Sequence, residues 1–124
     1  MHKLVILIEP LTDWQAFEDA WPDFLHQAEV MPGLRREASS RVEKFLYGKM
    51  SIHQIHELYF DSLQEAQQAM ASSPGQLAGK LLQRMTGGKM TLFLADCRED
   101  DIENLRRYPT AGSESSGQPT DEPT

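Results

Sequence analysis

Two histidines and a tyrosine stand in one short stretch, IHQIHELYF, with His53, His56 and Tyr59 each three residues apart. An imidazole changes charge near neutral pH and serves as a general base or a hydrogen-bond donor. A phenolic O–H can fix a ligand's oxygen. The histidine pair also invites a metal reading. On a helix a spacing of three would place both rings on one face, but on a strand it places them on opposite faces. Two ligands that face apart cannot chelate one ion, and no acid pair nearby completes a set, so no metal is expected. A second group of residues lies upstream. Trp14, Phe17, Trp21 and Phe24 recur at three and four, with His26 close behind. Four aromatics on one helical face are more than a small core needs, and they suit the wall of an apolar pocket.

These residues depend on the elements that carry them. Residues 52–60 are rich in β-branched and aromatic types and predict a strand. Asp61-Ser62 breaks that pattern, and Ser62 with Glu65 has the spacing of a capping box, so a helix starts there. The aromatic group belongs to a helix opened by Thr12 and Gln15, a second capping-box spacing. Pro22 falls inside it and predicts a kink or a new helical segment. Met31-Pro32-Gly33 ends that helix, since Gly33 can take a positive φ. Residues 3–9 and 89–95 read as strands that are apolar on both faces. Residues 34–45 read as a weaker, more polar edge strand. Ser73-Pro74-Gly75-Gln76 repeats the helix-start chemistry, with Leu77, Leu81 or Leu82, and Met85 as the apolar face. Residues 100–107 predict a short helix.

The 124 residues, 40% hydrophobic and 25% charged, are enough for one domain with a modest core. Residues 1–108 form that domain. Residues 109–124 are Ser, Thr, Pro, Gly and acid, and predict a disordered acidic tail. The tail holds three acids and no base, which leaves −4 of the net −7 on residues 1–108. An acidic body does not suit a nucleic-acid partner. The five apolar residues of MHKLVILIEP are too few for a signal-peptide core or a membrane span, so no membrane partner and a cytoplasmic location are expected. Cys97 is the single cysteine and has no activating neighbour in sequence. The lysines of Gly79-Lys80 and Gly88-Lys89 lack the Ser or Thr of a phosphate loop, and no dinucleotide fingerprint follows a strand. No cofactor is expected.

Strand, helix, strand, strand, helix, strand is the order of an α+β fold, βαββαβ, with one four-stranded antiparallel sheet and its helices on one face. The strands that are apolar on both faces then need a partner for the other face. A second copy packed sheet to sheet about a two-fold axis meets that need and predicts a homodimer.

KLVILIEP, the MPGLRR turn, HELYFDSLQEAQQAMASSPGQ and GGKMTLFLA together resemble the EthD family, named for ethyl tert-butyl ether degradation, of the dimeric α/β-barrel superfamily. The resemblance spans residues 2–96. It implies a ferredoxin-like fold, a homodimer, and a cleft between sheet and helices for a small, mostly apolar molecule. Wider relatives include cofactor-free monooxygenases, polyketide cyclases and dehydratases, and lactone isomerases. Family members often carry a His in the second half of the first helix. Here that position is Phe24, and His26 lies two residues later, so this role does not transfer.

The site is therefore expected between the sheet and the first helix, near the Trp21-Pro22 break. His56 and Tyr59 are the candidate catalytic residues, with Trp21, Phe24 and His26 lining the pocket. If the strand is regular, His56 and Tyr59 face apart, and the sequence leaves open which face meets the cleft. Two readings follow. One is a cofactor-independent enzyme of the monooxygenase, dehydratase or cyclase type, acting on a small hydrophobic or aromatic oxygenated compound. The other is a non-catalytic module that binds or delivers such a compound within a degradation pathway.

Overall fold

A computed structural model describes residues 1–99. Four strands and three helices follow one another along the chain: β1 (His2–Ile8), α1 (Trp14–Glu29), β2 (Arg36–Arg41), β3 (Gln54–Phe60), α2 (Leu63–Ala71), α3 (Ser73–Thr86) and β4 (Met90–Asp96). The sheet order is β2-β3-β1-β4, and every neighbouring pair is antiparallel. This is the expected α+β architecture. The tail and the helix expected at 100–107 lie outside the described residues.

The register sorts the side chains into two layers. Ile6 pairs with His56 and with Leu92, and Leu4 with Leu58 and Leu94, so these residues share a face. The core joins that face to the helices: Leu4, Ile6, Ile8, Leu58 and Phe60 pack with Phe17, Phe24 and Ala28 of α1, Ala66 and Ala69 of α2, and Ala78 and Leu82 of α3. Burying a side chain as large as Phe24 stabilises the fold by about 1.5–3 kcal/mol. The alternate residues Val5, Leu7, Ile55, Tyr59 and Phe93 share the other face. No helix covers that face, and Phe93 remains 44% exposed.

Local chemistry explains where the helices start. The Ser62 hydroxyl accepts from the Glu65 N–H at 3.1 Å and caps α2, as the spacing predicts. The caps of the other two helices sit one residue away from their predicted places. Asp13 caps α1 by accepting from Ala16 N–H, in place of Thr12. Ser72 caps α3 by accepting from Gly75 N–H, in place of Ser73. In both stretches two adjacent residues offer a capping oxygen, and tertiary packing selects between them. In α3 Ala78, Leu82 and Thr86 are buried, while Leu77, expected on the apolar face, is exposed. Gly75 is required at the α2–α3 corner. A Cβ there would come 2.1 Å from the Ala69 carbonyl oxygen.

No second helical segment starts at Pro22. The helix runs unbroken from Trp14 to Glu29 with Pro22 inside it. Tertiary packing overrides the local penalty, because Phe17, Phe24 and Ala28 on either side of the proline are all buried against the sheet.

Candidate functional site

The aromatic face of α1 lies over β3. Trp21 stacks between Phe17 and Phe24, with ring centroids 5.2 and 5.0 Å away. His56 meets this ladder from the sheet side. Its ring is edge-on to Trp21 at 5.0 Å and to Phe24 at 5.7 Å. Position 56 faces the helices because it alternates in register with Gln54 and Leu58 on that face. The His56 side chain is 1% exposed.

A buried imidazole needs hydrogen-bond partners, and His56 has one. Its Nε2 donates to Glu37 Oε2 at 2.7 Å. Glu37 sits on β2 opposite Leu58, two residues along from Ser39, the partner of His56, so both share its face, and its side chain is half-buried. A carboxylate accepts hydrogen bonds and cannot donate them, so Nε2 carries the ring proton. Nδ1 is then a bare lone pair, buried and without a partner. Burial pushes the His56 pKa below its ordinary 6.5, and the Glu37 hydrogen bond opposes this only in part. At neutral pH the ring is an uncharged base held in one tautomer by a carboxylate.

Two cavities lie near this dyad, and neither His56 nor Glu37 lines either of them. The outer one, about 420 Å³, opens between α1 and β2. Trp21, Pro22 and Phe17 form its apolar wall, and Ser39, Arg41 and Gln54 its polar wall. Three of these residues adjoin His56: Trp21 by ring contact, Ser39 as its cross-strand partner, and Gln54 as its neighbour on the same face. Arg41 Nη2 reaches Glu18 Oε2 across the mouth at 3.7 Å. Gln54 Nε2 donates to Ser39 Oγ at 3.2 Å. The inner cavity, about 230 Å³, lies between the sheet and the helices, with Ile6, Leu58, Phe24, Met31, Met70 and Leu82 among its lining. Trp21 lines the outer cavity and Phe24 the inner one, and His56 is in ring contact with both.

The five candidate residues therefore separate. Trp21, Phe24 and His56 come together in the cleft. Tyr59 is on the helix-free face, where Arg36 lies over its ring at 4.1 Å and Glu57 anchors Lys3 at 2.6 Å. His56 and Tyr59 thus face apart, His56 toward the helices and Tyr59 away from them. His26 is exposed in the last turn of α1 and lines neither cavity. His53 departs from the alternation expected of a strand residue. It precedes β3, and its ring packs on Trp14 of α1 at 3.8 Å, on the same side of the sheet as His56. Among the described residues no group of three His, Cys, Asp or Glu side chains is placed to hold a metal ion. Glu37 was not singled out in the sequence. Its only signal is the register of a polar edge strand, which pairs β2 with the histidine strand.

The antiparallel sheet with its helices on one face and a cleft between them makes this chain a ferredoxin-like α+β protein. Within that class its likeness is to the EthD family. A crystal structure of an EthD family protein from Bacillus halodurans C-125 superposes with a TM-score of 0.72 at 28% identity, covering 79% of this chain and 99% of that one. SnoaB, a cofactor-independent oxygenase from Streptomyces nogalater, shares the fold with a TM-score of 0.61 at 12% identity, over 80% of this chain and 94% of that one. A dimeric ferredoxin-like protein of unknown function from Jannaschia sp. CCS1 shares it equally, at 13% identity, over 77% and 98%. In sequence, the chain is 26% identical over 97 residues to an uncharacterized 11.0 kDa protein in the thcB-thcC intergenic region of Rhodococcus erythropolis, covering 77% of this chain and 94% of that one. No family model matches the chain. No helix among the described residues is long and apolar enough to cross a membrane.

Proposed function

We propose that this chain is a homodimer that binds a small hydrophobic or aromatic oxygenated compound in the cleft beneath α1, and transforms it without a cofactor using His56 as a general base. The observation that carries this reading is the His56–Glu37 pair. A histidine buried to 1%, bonded through one nitrogen and bare at the other, is an expensive feature for a core to keep. As a base it has a use. Nδ1 takes a proton from a phenolic oxygen or from a carbon beside a carbonyl, and Glu37 stabilises the imidazolium that forms. The resulting electron-rich anion is the entry point to oxygenation, cyclisation or dehydration. Trp21 both lines the outer cavity and meets the His56 ring edge-on, and because Nδ1 is buried, this reading requires side chains between the cavity and the ring to move when a ligand binds. The EthD family likeness and the fold shared with a cofactor-independent oxygenase agree with this class of chemistry.

The homodimer rests on the helix-free face. Leu7, Ile55 and Phe93 lie there only partly covered by the described residues, Phe93 being 44% exposed, and several proteins of this fold are dimeric.

A second reading, a non-catalytic binding or accessory module, is favoured by one observation. The α1 position where family members often carry a His is Phe24, which is 2% exposed and packed in the core. Native mass spectrometry of protein purified without denaturation, across a panel of phenols and aromatic ketones, separates the readings. The enzyme reading expects a bound compound whose turnover falls at least about 100-fold in His56→Leu, in keeping with the weight of a general base, while binding persists. Binding without turnover in the parent protein supports the module. A protein that retains none of the panel contradicts both.

A further inference from the structure

The connection between β2 and β3 is long for a hairpin. Residues 42–53 span it, where two to five residues are usual. Its root is tied down: Val42 N–H donates to the His53 carbonyl, and His53 N–H to the Ile8 carbonyl. Beyond the root it carries Phe45, Leu46 and Tyr47 in succession, 49%, 89% and 98% exposed. Three adjacent large apolar residues standing in water mark a contact surface. Lys44 and Lys49 bracket them, and with Glu43 beside Lys44 residues 42–53 carry a net +1. The rest of residues 1–99 sums to −4.

At the same end of the sheet lies a groove of about 260 Å³, lined by Leu7, Glu9, Met50, Ser51, Ile52 and Thr91. Leu7 and Thr91 are register partners on the helix-free face. The groove thus continues the surface on which the proposed dimer packs. It is apolar at its centre and has one carboxylate at its rim.

We infer that the β2–β3 arm of each copy seats in this groove on a second copy, with Leu46 and Tyr47 in the groove and a flanking lysine against Glu9. The inference rests on the homodimer reading and deepens it. A two-fold axis makes the contact reciprocal, so each protomer gives one arm and receives one. The axis must then run so that the β2–β3 ends of both sheets lie at the same end of the dimer. Charge selects the occupant: a basic arm fits an acidic second copy of this chain.

Sedimentation velocity across micromolar concentrations tests it on the full chain, for the parent and for Phe45→Ser/Leu46→Ser/Tyr47→Ser. The parent is expected to be a dimer, and the variant's dimer Kd is expected to rise at least about 100-fold, the weight of a buried anchor cluster. Far-UV circular dichroism should be unchanged, since the three side chains lie outside the core. A parent dimer with an equally tight variant dimer overturns the arm contact and leaves the dimer standing. A monomeric parent overturns both. A photo-crosslinking residue placed at Tyr47 gives a second reading that does not depend on the variant's folding. Linkage to the peptide of a second copy that carries Thr91 is expected. Linkage only within the same chain, or to anionic vesicles in place of protein, overturns the inference.

Discussion

Truncating Phe24 to alanine is expected to lower the stability of the fold by about 3–5 kcal/mol, the cost of a large aromatic removed from a closed core. Phe24 is 2% exposed, stacks on Trp21 and meets the edge of His56. Its ring also walls the inner cavity, so the space it leaves adds to an existing void that the neighbours cannot fill by small shifts. For a domain of this size the melting temperature should fall by more than about 10 °C. The functional consequence follows from the same geometry. With the ring gone, nothing separates the inner cavity from the indole of Trp21, and the two spaces join beside His56. Guanidinium titration and a crystal structure of the variant check both parts. A loss under about 1 kcal/mol would mean that the cleft repacks, and that Phe24 does not hold the two spaces apart.

The second large effect concerns Glu37. Replacing it with leucine leaves His56 buried with neither ring nitrogen bonded, which should cost about 1–3 kcal/mol. Glu37→Gln should cost less, because the amide oxygen can still accept from Nε2–H. His56→Leu/Glu37→Leu should recover much of the loss, since no buried polar group is then orphaned. The dyad also sets a pH dependence. Burial lowers the folded-state pKa of His56, so below 6.5 the unfolded chain binds a proton that the folded chain resists. The stability contribution of the neutral ring is full above the unfolded value of 6.5. It is lost as pH falls below 6.5 toward the folded-state pKa, where the decline levels off. Replacing His56 with leucine should flatten that decline. If the melting temperatures of parent and His56→Leu fall in parallel between pH 7 and pH 5, the ring is not held neutral by its surroundings.

Much of the fold was legible because two periodicities disagree along this chain. Alternation and apolar runs marked four strands, and spacings of three and four marked helices, so the βαββαβ order followed. The aromatic face of α1 was legible for the same reason, and Trp21 and Phe24 stand where their spacing put them. What escaped depended on register. Whether His56 or Tyr59 met the cleft turned on a single residue of phase in β3, which no local signal fixes. Glu37 joined the site only through the pairing of β2 with β3, a contact across 19 positions of sequence. His53 left the expected alternation because the strand starts one residue after it. Of the two alternatives at Pro22, the second helical segment does not form, since the burial of the aromatic rings on either side outweighs the local backbone penalty. Phe45 reads as the end of a strand over residues 34–45, because of its strand-like composition, whereas β2 ends at Arg41 and Phe45, Leu46 and Tyr47 stand exposed among the described residues.

The central claim is that His56 presents a bare Nδ1 to a ligand while Glu37 holds the proton on Nε2. Long-range proton–nitrogen spectra of the imidazoles, recorded from pH 7.5 to pH 5 with and without 1-naphthol as a phenolic probe, address it directly. The predicted result is that His56 shows a protonated Nε2 and an unprotonated Nδ1, keeps that state below pH 6.5, and shifts at Nδ1 as the probe saturates. An unprotonated Nε2 would contradict it. So would a probe that quenches tryptophan fluorescence on binding and leaves the His56 nitrogens unmoved.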